Sequence, residues 1–203
     1  MRKLVFIISL SCFISCKKDK QDKVVPLNQE QALLTTPKGF PEMEFPKGNE
    51  LTKERWELGK RLFYEKRLSI DNSISCGSCH QPSIAFADDL AFSEGVSNRV
   101  TSRNSLALGS VFNFAEYYGD AAQGRIPFFW DNRAFTVADQ SEQTLGNPLE
   151  MGMEMHEVVS RVKELDYYKP FFDVEYQGRI ESNTVLQAIS EFVNALASFN
   201  SEF

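Results

Sequence analysis

The run Cys76-Gly77-Ser78-Cys79-His80 constrains this chain more than any other stretch. Two cysteines separated by two residues, with a histidine directly after the second, form the arrangement that attaches a c-type haem. The thiols add to the porphyrin vinyl groups and the imidazole binds iron from the proximal side. The spacing puts both sulfurs at the macrocycle edge and the histidine beneath the metal. A redox dithiol has no use for the histidine, and half a zinc site needs further ligands that the sequence does not supply. The expected cofactor is one covalent haem c on Cys76, Cys79 and His80.

The first residues read as an export signal. Met1-Arg2-Lys3 is a basic start, and the apolar run Leu4 to Leu10 is too short to span a bilayer as a mature helix. It leads into Phe13-Ile14-Ser15-Cys16, which resembles a bacterial lipobox with Phe where Leu is usual. Cys16 is then the acylated first residue after removal of residues 1–15, anchoring the chain to a membrane facing the periplasm. An ordinary cleaved signal that leaves Cys16 as a free thiol is the alternative. Cys12 falls inside the signal either way, so all four cysteines are assigned and no structural disulfide is expected.

Charge narrows the partners. The formal net charge is −6; losing Arg2 and Lys3 leaves 20 basic residues against 28 acidic ones, a net −8. That excludes nucleic acid as a natural partner and suits a basic or patch-charged redox protein. Seventeen phenylalanines suit a chain that wraps a large apolar macrocycle.

Residues 16–50, with Pro26, Pro37, Pro41 and Pro46, read as a tether and extended arm; residues 51–203 suffice for one domain with its own core. Thr52 caps a helix with Glu54 and Glu57 in its first turn and Lys60, Arg61, Lys66 and Arg67 towards its end. Trp56, Gly59, Leu62 and Phe63 share one face of it. Residues 68–104 read as loops, 105–114 as a short buried helix or turn, and 117–127 as a surface loop. Further helices are expected from Thr136 to about Thr144, from Met155 to Leu165, and from a capping box at Thr184 and Gln187 onward. No strand pattern competes. The fold class is mostly α, a cytochrome c-like helical domain with long loops around the haem.

Several motifs recur together in order: Leu58-Gly59-Lys60-Arg61-Leu62-Phe63-Tyr64, Arg67-Leu68-Ser69, Ile74-Ser75 before the haem motif, Ala85-Phe86-Ala87-Asp88, Arg103-Asn104, Phe129-Trp130-Asp131-Asn132-Arg133-Ala134, Asn147-Pro148-Leu149-Glu150-Met151 and Ser198 to Phe203. With these the chain resembles the bacterial dihaem cytochrome c peroxidase and MauG family, from about Leu51 to the end. The similarity covers the family's first haem domain. Members carry a second, with its own C-x-x-C-H, that supplies electrons, and the 203 residues end at about the point where it would begin.

The resemblance implies roles. His80 is the proximal ligand of the peroxide-reacting haem, Trp130 stands between the two haems, Gln140 and Glu150 form the distal pair, and Asn104 belongs to a calcium site completed from the second domain. By residue type alone, Trp130 is a core residue, Gln140 a solvated helix residue and Glu150 a loop charge. Some family members have a histidine about sixteen residues after the haem histidine, capping the iron; here Val96 stands there. His156 reads as a surface residue near a helix start. Met151, Met153 and Met155 read as space-filling thioethers, and Asn132 replaces a common glycine, since Asn tolerates left-handed backbone. The sixth iron position is expected to be open or water-bound.

The resemblance implies a peroxidase that reduces hydrogen peroxide with electrons from an exported donor of cytochrome c or cupredoxin type. A monohaem electron carrier or inactive half, and a MauG-like oxidase of a partner protein, stay open beside it.

Overall fold

The computed structural model describes residues 36–39, 50–111 and 128–198, all within one compact unit, Ala32–Phe203. The export signal, Cys16, most of the arm, the 117–127 loop and the motif after Ser198 lie outside the described residues.

Among the described residues, six α-helices order this unit: α1 (Lys53–Phe63), α2 (Cys76–Cys79), α3 (Val137–Gly146), α4 (Met155–Glu164), α5 (Lys169–Glu175) and α6 (Ser182–Asn194). Among the described residues there is no strand, only the isolated bridges Gln81–Ala87, Glu94–Val100 and Phe128–Ala134. The architecture is mostly α with long loops. No described helix is long and apolar enough to cross a membrane.

Helix α6 is the centre. Thr184, Val185, Leu186, Ala188, Ile189, Phe192 and Val193 are all buried on it, and burial around the whole circumference marks a helix enclosed by others. Helix α1 crosses it at Gly59, where a Cβ would lie 1.9 Å from the Ala188 carbonyl oxygen; only glycine permits that approach. Leu58, Leu62 and Phe63 then enter the core, with the Phe63 ring 5.0 Å from Phe192. Arg55 joins α1 to α5 through a 2.9 Å ion pair with Glu175 and lies over the Tyr176 ring.

Several expectations need correction. Helix α1 stops at Phe63, so Lys66 and Arg67 belong to a separate 3-10 turn, Lys66–Leu68, where Glu65 accepts from the Arg67 backbone N–H and Nε. Helix α6 starts two residues before Thr184: Glu181 is its cap, and the Thr184 hydroxyl receives the Glu181 N–H at 3.0 Å. The described part of the stretch 105–114 holds a turn at 109–110, as one of the two expected forms, but it is not buried: Leu106 is exposed, because the segment borders a cavity rather than a packed face. Helix α5 was not expected; Pro170 in its first turn is its start signal.

Candidate haem site

A short capped turn builds the proximal side. Ser78 Oγ accepts the Ser75 N–H at 2.9 Å and the Cys76 carbonyl accepts the His80 N–H at 2.9 Å, closing α2 into one turn that presents both cysteines and the histidine together. The segment before it is pinned from α4: Arg161 Nη1 donates to the carbonyls of Arg67 and Ser69, each at 2.7 Å, and to Asn72 Oδ1.

After His80 the chain reverses through Ala85 and Phe86, both at positive φ, with Phe86 N–H donating to the Gln81 carbonyl at 2.8 Å. That turn brings the Phe86 carbonyl oxygen 2.7 Å from His80 Nδ1. A carbonyl only accepts, so Nδ1 holds the ring proton and Nε2 keeps its lone pair for a metal. Burial lowers the His80 pKa, which favours the neutral ligand form, while the Phe86 carbonyl and the nearby Asp88 charge work the other way.

Burial pushes the Cys76 thiol up to about 12. Burial first, then the Asp88 and Glu150 charges, raise Cys79 to about 11. Reactive dithiols and zinc thiolates need the opposite shift; these two thiols are suited to conversion into uncharged thioethers.

The opposite wall comes from α3 and the turn after it. Gln140 is half-buried and its Nε2 donates to Thr144 Oγ1 at 2.9 Å. Residues 147–150 form a tight turn in which the Asn147 carbonyl accepts the Glu150 N–H at 2.9 Å. Glu150 Oε1 accepts from Asn147 Nδ2 at 2.7 Å. Burial raises the Glu150 pKa, opposed by hydrogen bonds from Thr144 and Asn147 and by the charge of Arg133.

Val96 is buried, and its N–H donates to the Glu150 carbonyl at 3.0 Å. Its loop is clamped on the 147–150 turn: Arg99 Nη1 donates to the Pro148 carbonyl, and a Cβ on Gly95 would lie 1.8 Å from the Leu149 carbonyl oxygen. Met151 and Met153 are buried in the core, Met155 packs against it, and His156 is exposed at the start of α4.

Trp130 is not core: 54 % of it is exposed, and its Nε1 donates to the Asn104 carbonyl at 3.3 Å. Phe129 and Asn132 flank it at positive φ, the left-handed backbone expected of Asn132. Asn104 Nδ2 donates to the Ser105 carbonyl, and among the described residues no group of three or more His, Cys, Asp or Glu side chains is arranged to hold a metal ion by itself.

Cys76, Cys79, His80, Asn104, Trp130, Gln140 and Glu150 all line one cavity of about 640 Å³, together with Phe63, Leu108, Val111, Leu145 and Ile189. That volume falls within the roughly 300–1,000 Å³ of cofactor pockets. Both Asp88 carboxylate oxygens are buried without a hydrogen-bond partner among the described residues, a charge that a cationic iron centre would offset. The prepared imidazole, the two protonated thiols and the apolar lining fit a haem c.

The family model described as di-haem cytochrome c peroxidase matches residues 53–203. The chain belongs to that family. The methylamine utilization protein MauG of Methylorubrum extorquens is 34 % identical over 160 residues, covering 78 % of this chain and 42 % of that protein. The cytochrome c peroxidase of Escherichia coli is 30 % identical over 148 residues, covering 72 % of this chain and 29 % of that one. Among solved structures, a MauG-like protein associated with microbial copper homeostasis superposes with a TM-score of 0.70 at 28 % identity, over 86 % of this chain and 48 % of its own. This chain thus spans less than half the length of these relatives. Membership in the di-haem cytochrome c peroxidase family implies haem c.

Sequence reasoning missed two contributors. The Phe86 carbonyl is a backbone group placed by two left-handed residues, which no residue type announces. Asn147 enters the sequence reading only as a member of the Asn147–Met151 motif, whereas its amide also reaches the carboxylate beside it. An Asn directly before Pro, three residues ahead of an acid, was the available signal.

Proposed function

We propose that this chain is the peroxide-reacting haem domain of a cytochrome c peroxidase, with one haem c. The observation that carries the reading is Glu150, a half-buried carboxylate on the wall of the cavity that also contains His80. Haem c on Cys76, Cys79 and His80 would supply the iron at which peroxide is reduced to two waters by two electrons and two protons.

The chain's own residues handle orientation and protons. His80 holds its ring through the Phe86 carbonyl and offers one nitrogen. Gln140, one helical turn before Thr144, offers a side-chain amide to hold peroxide in the cavity. Glu150 takes the proton from one peroxide oxygen and returns it to the other as the O–O bond breaks, so that this oxygen leaves as water and the remaining one becomes the second water with the two electrons and two protons supplied. Burial, by raising the carboxyl pKa, brings it closer to the working pH, where such a group is most effective as both base and acid. Trp130, exposed at the cavity, gives electrons a path in from a small redox protein of cytochrome c or cupredoxin type.

The same reading assigns the chain to the periplasm, acylated on Cys16, and places Asn104 in a calcium site; both rest on the sequence pattern and the family resemblance. Fractionation tests the first: wild-type protein found wholly in the soluble periplasm refutes the anchor. For catalysis the test is E150Q. Stopped-flow mixing of the ferric protein with peroxide should show a rate lower by about 10²- to 10⁴-fold, with haem attachment and the resting spectrum unchanged. Equal rates refute the reading.

A further inference from the structure

We propose that Asn147 is a positioning residue for Glu150, holding its carboxylate on the cavity wall and keeping it able to accept a proton; the proposal rests on the catalytic reading of Glu150. The amide of Asn147 makes two bonds of opposite sense. Its Oδ1 accepts the Leu149 N–H at 3.0 Å, and its Nδ2 donates to Glu150 Oε1 at 2.7 Å. Turning the amide over would set N–H against N–H at Leu149 and oxygen against oxygen at Glu150, so the orientation is determined by both neighbours.

The rest of the turn leaves Glu150 little freedom. The Asn147 carbonyl accepts from both the Glu150 and the Gly152 N–H groups, each at 2.9 Å, while Val96 holds the Glu150 carbonyl from the neighbouring loop. With the backbone anchored on both sides, the remaining freedom lies in the side-chain torsions of Glu150, and the Asn147 amide restrains them by holding Oε1.

The bond also acts on charge. A carboxyl in a partly buried wall favours the protonated form, which is too weak a base to take the proton of a substrate. A donor at 2.7 Å favours the ionised form. The other charged or titratable groups around the same cavity are Arg133, with its ion-pair partner Asp131, from the loop before α3, Glu94 and Arg103 from the loops after the haem motif, and Cys76, Cys79 and His80, while Arg99 holds the Pro148 carbonyl. Once alkylated by haem, the two cysteines do not titrate. Gln140 and Thr144 of α3 carry no charge. Asn147 and Thr144 are the uncharged groups that act on the carboxyl; of the two, Asn147 is the one that also fixes the turn, through Leu149, and its removal alters no ion pair.

The variant that separates these roles is N147S in the haem-loaded full chain. A serine hydroxyl still accepts the Leu149 N–H in the same kind of turn but is too short to reach Glu150. Infrared titration, with the Glu150 acid carbonyl band identified by its loss in E150Q, should show the protonation midpoint raised by about one pH unit, the size of a lost hydrogen bond to a charged group. The pH profile of the peroxide reaction should move up with it, giving about a tenfold lower rate below the midpoint. If N147S fails to retain haem, N147D, which keeps the turn acceptor and sets a second acid against Glu150, should raise the midpoint further. An unchanged midpoint overturns the proposal. A raised midpoint with an unmoved peroxide profile overturns its catalytic half, and E150Q reacting like wild type places that failure in the reading of Glu150 rather than in the contact.

Discussion

His80 gives its Nδ1 proton to the Phe86 carbonyl oxygen across 2.7 Å. The left-handed pair Ala85 and Phe86 turns the chain back on the imidazole and makes this contact. The ligand tautomer is thus set by the polypeptide. Expression with c-type maturation machinery should give protein whose haem stain survives a denaturing gel, and the C76A/C79A double variant should lose it. A wild-type band without stain contradicts the attachment.

Trp130 leads to a different measurement. Its indole is tied to the Asn104 carbonyl yet more than half exposed, so it connects the cavity with the surface. In W130F the first reaction of the ferric protein with peroxide should stay within about twofold of wild type. Reduction by an added cytochrome should slow by about tenfold or more, equivalent to roughly 1.4 kcal/mol in barrier. Unchanged reduction would remove Trp130 from the electron path.

Much of this architecture could be read from residue order. Thr52, Thr136 and the Met155 start all show in the sequence because caps and apolar spacing are local signals. The failures are places where a second partner decides. Thr184 does form a capping box, but as the inner member with Glu181, so the helix begins earlier than the Thr184–Gln187 pairing suggests. Tyr64 ends α1 with two basic residues still to come, because Glu65 draws Arg67 into its own turn. The site divides in the same way. Cys76, Cys79 and His80 are adjacent and their chemistry is evident from spacing. Gln140 and Glu150 stand ten residues apart across a helix end and a turn, and no periodicity links them; family order brought them to notice, and the clamp between the 95–99 loop and the 147–150 turn puts them at one cavity.

Gly59 offers a test of the core that does not involve the site. Alanine favours helix over glycine by about 1 kcal/mol, yet its Cβ would sit 1.9 Å from the Ala188 carbonyl oxygen and 2.9 Å from Phe192 Cβ. Backbone cannot swing aside as a long side chain can, so α1 and α6 must separate, at a cost of about 1–3 kcal/mol or more for overpacking. The strain outweighs the propensity. Contact with backbone puts the strain at the upper end, about 3 kcal/mol, which less about 1 kcal/mol of propensity leaves about 2, so G59A should lower Tm by about 4–8 °C, at roughly 2–4 °C per kcal/mol for a chain of this size. A Tm equal to or above wild type would show that the crossing is looser than the geometry indicates.

Glu65 makes the fold sensitive to acid. Its carboxylate accepts from Arg67 Nε and Nη2, each at 2.9 Å, and from the hydroxyls of Tyr167 and Tyr168, joining the turn before the haem segment to the chain between α4 and α5. Burial alone would raise its pKa, but the bonds from Arg67 and Tyr167 outweigh burial and bring it from 4.5 to about 2. A carboxyl depressed on folding adds stability in full above its unfolded pKa, and that stability disappears as pH falls from about 4.5 towards 2. Hydrogen bonds to a charged group contribute about 1.5–3 kcal/mol. E65Q should therefore melt several degrees below wild type at pH 7, and the two melting curves should converge as pH drops through that window. A gap between wild type and E65Q that stays constant down to pH 2 would mean that the Glu65 charge adds nothing to the fold.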